Sequence, residues 1–210
     1  KALHNLKTAI KSTQPARLLK YCPMCGTTIH STFDHYVPAT HFPEFAVHPL
    51  NLVPCCAFCN STKSDDSLNA MGPRQYLHAN TDTPPDDAFL VAKLHESPSH
   101  DAVGATFSLA RPNAIDDSVW ALIESHFARL HLLERYNEQG NDEIADILSN
   151  SYNYMDTGGQ NIREFLTREA ADREGAHGKS HWRAVLLRAM AEHDHLESWI
   201  AAARHVQGST

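Results

Sequence analysis

Four cysteines stand in two closely spaced pairs, and this spacing is typical of a metal site. Each pair has the form Cys-x-x-Cys, and thirty residues lie between the pairs, which are Cys22 with Cys25 and Cys56 with Cys59. Four thiolates carried by two tight turns can close a tetrahedral site around zinc. Because such a site leaves no open coordination position, we expect a structural zinc and not a catalytic one.

Two other uses of the cysteines are open at this point. The segment CPMC on its own is compatible with a reactive dithiol, although the second pair and the lack of a surrounding βαβ pattern argue against a redox enzyme. Cys55 is a fifth cysteine beside the second pair. We interpret it as a small buried apolar residue. It could compete with Cys56 for the metal, but Cys56 gives the two-residue gap that the turn requires.

Asp34, His35 and Asn60 form a second candidate set beside the cysteines. If a metal holds Cys25 and Cys59 together, these three residues are brought close in space. A carboxylate and an amide oxygen suit Mg²⁺ or Mn²⁺ better than zinc. Histidine ordinarily titrates near neutral pH, which is what general-base activation of a water molecule requires. The pattern therefore predicts a hydrolytic site that acts on a phosphate.

Lys63 and Asn51 are added to this set by position. Lys63, one helical turn after Asn60, is predicted to place positive charge against the phosphate. Asn51 lies in the apolar run PLNLVP, where its amide is expected to brace the loop that carries His35. Two alternatives stay open: Asn60 could cap a helix that begins at Ser61, and Lys63 could be an ordinary solvated lysine.

Together these residues resemble the HNH, or His-Me finger, nucleases with a ββα-metal motif. DHYVP, NLVPCCAFCN and STK are similar to the series D-H-x-x-P and N-L-x-x-x-C-x-x-C-[HN]-x-x-K of that family. The resemblance covers residues 21–65. It implies that His35 is the general base, that Asp34 and Asn60 bind a catalytic Mg²⁺ or Mn²⁺, and that the cysteines hold a structural zinc. The catalytic set that it implies is Asp34, His35, Asn51, Asn60 and Lys63.

The resemblance extends to a zinc-bearing bacterial subgroup through the run STFDHYVPATHFPEFAVHPLNLVPCCAFCN. It implies a metal-dependent endonuclease that hydrolyses phosphodiester bonds in nucleic acid, with DNA as the expected substrate. Family members of this size often belong to anti-phage systems and work beside an ATPase or sensor protein, so such a partner and a defence role are implied here. The alternative is a catalytically silent zinc module that binds nucleic acid or a partner protein.

The fold expected is α+β, with two parts. Residues 1–80 are predicted to form an HNH nuclease module with its zinc, and residues 81–210 a β-hairpin followed by an acidic helical region. AFLVAKLHE and GATFSLA alternate as hairpin strands do. The loop residues His41, Phe42 and His48 are interpreted as packing within their own loop.

Five helices are predicted by periodicity and end signals. STKSDDSLNAM is expected to open a helix after the last cysteine. A long helix from about residue 117 is expected to stop at Gly140. Further helices are predicted over 142–152, 160–173 and 180–206.

Charge is distributed unevenly along the chain, which carries −7 in all. Residues 1–80 hold seven Lys/Arg and four Asp/Glu, whereas residues 81–210 hold eleven and twenty-one. The first part is compatible with phosphate contact, and the acidic part favours a protein interface or self-association as a homo-oligomer. The clustered cysteines, the lack of a secretory signal pattern in residues 1–20 and the lack of a membrane-length apolar run predict a cytoplasmic protein without membrane contact.

Overall fold

The computed structural model describes residues 1–13, 20–66, 74–83, 85–97 and 102–207, with only the backbone for 204–207. The described chain is α+β, which confirms the predicted class. Its residues group into two compact units. Unit 1 comprises residues 1–85 and 113–132, and unit 2 comprises residues 86–112 and 133–210.

Unit 1 is built around a short antiparallel strand pair followed by a helix. Its elements are α1 (Ala2–Thr13), β1 (Thr32–His35), β2 (Leu52–Cys55), α2 (Ala57–Lys63) and α3 (Asp117–Arg129). Thr32 lies opposite Cys55 and His35 opposite Leu52. The connection between the strands contains two short 3-10 turns, Pro43–Phe45 and Pro49–Asn51.

Helix α3 belongs to unit 1, although it follows residue 80 by more than thirty positions. Its apolar stripe is buried through Ile123, Phe127 and Leu130. The ring of His126, also buried, accepts a hydrogen bond from Leu77 N at 3.2 Å and donates one to Met24 O at 2.8 Å. The division of the chain therefore differs from the predicted boundary at residue 80, because α3 fills a space beside the first cysteine turn.

Unit 2 contains a hairpin and four helices among the described residues. They are β3 (Leu90–Ser97), β4 (Ala102–Leu109), α4 (Leu132–Asp156), α5 (Ile162–His177), α6 (Trp182–Glu192) and α7 (Leu196–Gln207). The predicted hairpin is confirmed, with Leu90 paired to Leu109 and Ser97 to Ala102. Within the described part of the chain, no helix is both long enough and apolar enough to cross a membrane.

An aromatic cluster forms part of the core of unit 2. The ring of Phe107 on β4 lies 5.7 Å from that of Tyr136 and 6.3 Å from that of Trp182. Tyr136 and Trp182 stack at 5.8 Å, so α4, α6 and the hairpin meet at these three side chains. Offset and edge-to-face contacts of this kind add to the free energy that burial supplies.

Three helix boundaries differ from the predictions. Gly140 does not end a helix: it lies inside α4, where a Cβ would stand 3.1 Å from the ring of Phe107, so the glycine serves close approach. The break comes earlier, at His131, whose φ is +51°. The helix predicted over 180–206 is divided at residues 193–195. Helix α2 begins at Ala57, before the last cysteine, and residues 67–71 of its predicted continuation lie outside the described residues.

Candidate functional site

The four paired cysteines converge in unit 1. Their sulfur atoms all lie within 4.8 Å of one another and all four residues are buried. A tetrahedral ion with bonds of about 2.3 Å to sulfur needs sulfur atoms about 3.8 Å apart, and Cys25 Sγ lies 4.0 Å from Cys56 Sγ. The cluster could therefore hold a metal ion. Among the His, Cys, Asp and Glu side chains of the described residues, this cluster is the group that is able to hold a metal ion.

Each cysteine pair is presented by a tight turn. Gly26 N donates to Cys22 O at 2.8 Å, and Gly26 takes a φ of +67°, a conformation that favours glycine. The second pair starts α2: Cys56 is its N-terminal cap, and its sulfur accepts a hydrogen bond from Cys59 N at 3.4 Å. At the second pair a backbone N–H thus points at sulfur, whereas the first turn is closed through the Cys22 carbonyl oxygen.

The thiols of the cluster interact strongly with one another. Hydrogen bonding with Cys22 lowers the pKa of Cys25 and lowers that of Cys56 to about 5. The pKa of Cys22 is raised, chiefly by its hydrogen bond with Cys25, and that of Cys59 chiefly by its hydrogen bond with Cys22. Four sulfurs so close together share protons, and a bound divalent cation would replace those protons.

Cys55 stands outside the cluster. It is fully buried, its sulfur lies 3.4 Å from Thr32 Oγ1, and burial raises the pKa of its thiol to about 11. A thiol with so high a pKa is a poor nucleophile and a poor metal ligand at neutral pH. The interpretation of Cys55 as a small buried residue is therefore confirmed.

A pocket of about 220 Å³ lies beside this cluster in unit 1 and brings together three of the predicted residues. At about 30 Å³ per water molecule, it has room for a hydrated ion or a phosphate group. Asp34, His35 and Asn60 all line it. The remaining lining residues are Ala39, Thr40, Ser64 and Asp65.

One ring nitrogen of His35 is fixed by the loop between the strands. Its Nε2 lies 2.9 Å from Ala46 O. A carbonyl oxygen only accepts, so Nε2 carries the proton and Nδ1 keeps a lone pair. In the neutral ring Nδ1 is therefore the atom that could accept a proton.

Asn51 braces the same loop with both ends of its amide. Its Oδ1 accepts from Val37 N at 2.7 Å, and its Nδ2 donates to Val37 O at 3.1 Å and to Phe45 O at 3.0 Å. The side chain is buried and does not line the pocket. These contacts are the ones expected of a residue that holds the loop in place.

Asp34 and Lys63 form a buried ion pair. Lys63 Nζ lies 3.0 Å from Asp34 Oδ2 and 3.2 Å from Oδ1, and it donates to His35 O at 2.9 Å. Burial raises the pKa of the Asp34 carboxyl, and Lys63 opposes that shift. Lys63 is fully buried and does not line the pocket, so the predicted direct contact with phosphate does not fit this structure. A solvated lysine is excluded as well.

Oxygen atoms suited to a hard cation remain at the pocket. Asp34 Oδ2 is buried and, despite its closeness to Nζ, has no hydrogen-bond partner of suitable direction among the described residues. Asn60 lies inside α2, so the alternative in which it caps a helix is wrong. A carboxylate and an amide oxygen at one pocket fit Mg²⁺ or Mn²⁺.

Two features of unit 1 were missed from the sequence. Asp65 lines the pocket and accepts a hydrogen bond from Thr40 Oγ1 at 3.0 Å; its acidic run suggested a helix start instead. His126 ties α3 to the first cysteine turn. Its place between Ile123 and Phe127, in an otherwise apolar stripe, is the signal that could have revealed a buried histidine.

Part of the chain is similar to a phage protein. No protein-family model matches the chain, and no solved structure does either. The chain is similar to protein ea31 of Escherichia phage lambda, with 26% identity over 145 residues. The match covers 64% of this chain and 45% of ea31, so the chain spans less than half the length of that curated relative. The name ea31 specifies no activity.

Proposed function

We propose that the chain is a metal-dependent HNH endonuclease that hydrolyses phosphodiester bonds in nucleic acid, with DNA as its substrate. One observation carries the proposal: the His35 ring, the Asp34 carboxylate and the Asn60 amide line one pocket beside the cysteine cluster. The order of strand, strand and helix around that pocket, β1, β2 and α2, supports it. The resemblance of residues 21–65 to the HNH family supplies the reaction.

His35 acts as the general base in this proposal. Its Nδ1 accepts a proton from a water molecule that attacks phosphorus, and the bond from phosphorus to the 3′ oxygen breaks. Nε2–H stays bonded to Ala46 O, so the ring keeps its orientation while Nδ1 gains and loses the proton. Asn51 holds the same loop from its other side.

Asp34 and Asn60 would hold the catalytic Mg²⁺ or Mn²⁺. When bound, the ion supplies positive charge to a non-bridging oxygen and to the leaving oxygen. Burial raises the pKa of Asp34, and the 3.0 Å ion pair with Lys63 opposes that shift and so favours the ionised carboxylate. We therefore assign Lys63 as a positioning residue.

We further propose that the ion of the cysteine cluster is zinc. Tetrahedral sites made entirely of thiolate are typical of zinc. The five cysteines are free thiols in the structure, and a reducing, cytoplasmic compartment would keep them so. The ion would join β1 and α2 through the two turns and so fix the pocket walls.

Nicking of a supercoiled plasmid tests the nuclease proposal. Cleavage is expected with Mg²⁺ or Mn²⁺ and not with EDTA, and both His35→Ala and His35→Gln should abolish it. Gln is the sharper variant, since its amide can still donate to Ala46 O but cannot act as the base. His4→Ala, exposed on α1, is the matched control and should cut normally. Cutting by His35→Gln would remove the base assignment.

A second candidate function has one specific observation in its favour. The Lys63 ammonium already neutralises Asp34, so the carboxylate attracts a second cation less strongly than a free one would. The alternative is a catalytically silent zinc module that binds nucleic acid or a partner protein. It predicts oligonucleotide binding and full zinc content without nicking under any divalent metal.

The wider role is proposed from the resemblance alone. We propose an anti-phage effector that works with an ATPase or sensor protein, and self-association through the acidic unit 2. Protection of cells from phage by the chain with its genomic neighbours should be lost with His35→Gln. Light scattering should show a homo-oligomer, and a monomer at micromolar concentration would contradict that part.

A further inference from the structure

The loop between β1 and β2 exposes an apolar and aromatic surface in unit 1. Phe45, Val47 and Leu50 are 43%, 63% and 51% exposed. His48 is exposed as well, and its ring meets that of Phe45 edge-on at 6.2 Å. The ring of His48 thus contacts a residue of its own loop, in agreement with the interpretation from the sequence, although it remains exposed. We call Phe45, Val47, His48 and Leu50 the loop patch.

The backbone beneath the loop patch is held firmly. Successive turns are closed by hydrogen bonds from Phe45 N to Phe42 O, from Ala46 N to Pro43 O and from His48 N to Phe45 O, all between 3.0 and 3.1 Å. Such closed turns leave the loop little freedom to fold its apolar side chains inward. These turns order the backbone that carries the exposed side chains of the patch.

The same backbone is bonded directly to the proposed catalytic residue. His35 Nε2 donates to Ala46 O and Asn51 Nδ2 donates to Phe45 O, so both carbonyls that flank the Phe45–Ala46 peptide bond are fixed. The Phe45 side chain is therefore carried by the residue next to the one whose carbonyl oxygen the His35 ring contacts.

The loop patch carries little charge, so its aromatic side chain is the better guide to the partner that it binds. Residues 36–50 contain a single charged residue, Glu44, and unit 1 as a whole holds eight Lys/Arg and eight Asp/Glu. Unit 1 therefore gains little affinity for nucleic acid from phosphate neutralisation. Base stacking on aromatic side chains is the other general source of such affinity, and it does not depend on sequence.

We infer that the loop patch binds an unpaired nucleobase of the substrate, stacked on Phe45 next to the phosphate that the pocket takes. This inference rests on the proposed function, because it places the phosphate in the pocket of Asp34, His35 and Asn60. A base inside a duplex is already stacked on its neighbours, so its face is not accessible to Phe45. The substrate class is then single-stranded nucleic acid, or a duplex with unpaired nucleotides.

Fluorescence anisotropy tests the inference with the full chain and Mg²⁺ present. The probes are a labelled single-stranded 12-mer and the matching blunt duplex, and all proteins carry His35→Gln so that binding is measured without cleavage. Phe45→Ala should weaken single-strand binding by roughly 5- to 150-fold, the effect of removing one base–aromatic stack. Duplex binding should change by less than about twofold, because Phe45 meets no open base there.

Three further variants separate base stacking from plain apolar contact and from a general loss of surface aromatics. Phe45→Trp keeps an aromatic face and should bind the single strand at least as tightly as the protein with Phe45. Phe45→Leu keeps only apolar surface, so its affinity for the single strand should fall as much as that of Phe45→Ala. Phe58→Ala is the matched control, since Phe58 is 50% exposed on α2. Unchanged zinc content and melting temperature show that each variant is folded.

Several results would overturn the inference. Phe45→Ala could bind the single strand as tightly as the parent protein, or lose the same affinity for the single strand and the duplex. Phe58→Ala could lose as much affinity as Phe45→Ala, or Phe45→Leu could bind the single strand with full affinity. Failure of the nuclease proposal is seen separately, in the nicking assay. Cleavage by the wild-type chain with no effect of Phe45 would remove only the stacking inference, and Phe45-dependent binding without cleavage would remove only the nuclease.

Discussion

At the pocket, Asp34, the carboxylate proposed to bind a cation, already faces a lysine. The side chains of Asp34 and Lys63 are 4% and 0% exposed. Replacing one partner of such a pair strands the other charge away from water, which costs far more than the pair itself contributes. The pair therefore couples the stability of unit 1 to the state of its candidate site.

Lys63→Met should accordingly lower the free energy of unfolding by roughly 3–5 kcal/mol, the usual cost of an unpaired buried charge. The double variant Asp34→Asn with Lys63→Met should lose less free energy of unfolding than Lys63→Met alone, because no charge then remains buried. Urea denaturation of both single variants, the double variant and the wild type measures this. Additive losses from the two substitutions would contradict the coupling.

His126 is a second residue whose charge state is set by burial. Burial lowers the pKa of its ring to about 4. Protonation of Nδ1 would also break the hydrogen bond that this nitrogen accepts from Leu77 N. We expect ¹⁵N–¹H spectra to show the neutral Nε2–H ring at pH 5, where an ordinary histidine is mostly charged.

The consequence for stability follows from proton linkage. Between pH 6.5 and about 4 the unfolded chain binds a proton at His126 that the folded chain does not, so stability is lost as the pH falls through this range. The loss should reach roughly 3 kcal/mol at the acid end. His126→Gln, which cannot titrate, should show a correspondingly flatter pH dependence. An equal slope in both proteins would contradict the assignment.

At the scale of elements, the cysteine turns depend on one residue of spacing. Cys55 and Cys56 are adjacent and both buried, yet only Cys56 joins the cluster. Cys56→Ala should lose the bound metal and unfold unit 1, since metal sites of this kind contribute on the order of 10 kcal/mol to folding. Cys55→Ala should keep one metal per chain by elemental analysis. Equal metal loss from both variants would remove the assigned ligand set.

Space rather than backbone conformation limits Gly159, in the turn between α4 and α5. A Cβ at Gly159 would lie within 2.5 Å of the Tyr154 ring, and that ring stacks on Phe165 at 4.4 Å. Gly159→Ala should therefore destabilise the protein by about 1–3 kcal/mol.

Gly175, inside α5, is the control for that variant. Nothing lies within 4 Å of a Cβ there, so Gly175→Ala should be neutral or stabilise by up to about 1 kcal/mol. Melting temperatures compare the two. A stable Gly159→Ala would show that the ring of Tyr154 can move aside.

The elements were predictable where local patterns decide them. The β3–β4 hairpin followed from alternation, and the cysteine cluster from spacing alone. The helix breaks at His131 and at residues 193–195 could not be predicted, because apolar positions continue at helical intervals on both sides of each break. Gly140 misled for a related reason: glycine marks helix ends by conformation, whereas here Phe107 requires its small size. The burial of Lys63 depends on Asp34, which is distant in sequence.

At the scale of the whole molecule, charge follows the two units. Unit 1 has equal numbers of basic and acidic residues, and unit 2 has ten Lys/Arg against seventeen Asp/Glu. The acidic excess predicted for the second part of the chain thus lies in unit 2, which includes the β3–β4 hairpin.

This distribution predicts weak salt dependence of nucleic-acid binding. If no more than about two phosphates are neutralised, raising NaCl from 50 to 200 mM should weaken binding by about tenfold at most. A typical basic DNA-binding protein loses about a thousandfold or more over that range. Anisotropy titrations at several salt concentrations measure the slope, and a thousandfold loss would show a phosphate-dominated interface.

The discontinuity of unit 1 has a consequence for how the chain matures. Residues 86–112 interrupt it, so its last helix is synthesised only after the β3–β4 hairpin. While the ribosome is still adding those residues, both cysteine turns have been synthesised. Met24 O and Leu77 N still lack their hydrogen bonds to the His126 ring at that stage. Unit 1 can therefore be completed only after α3 has left the exit tunnel, and a product released earlier would lack one wall of its core.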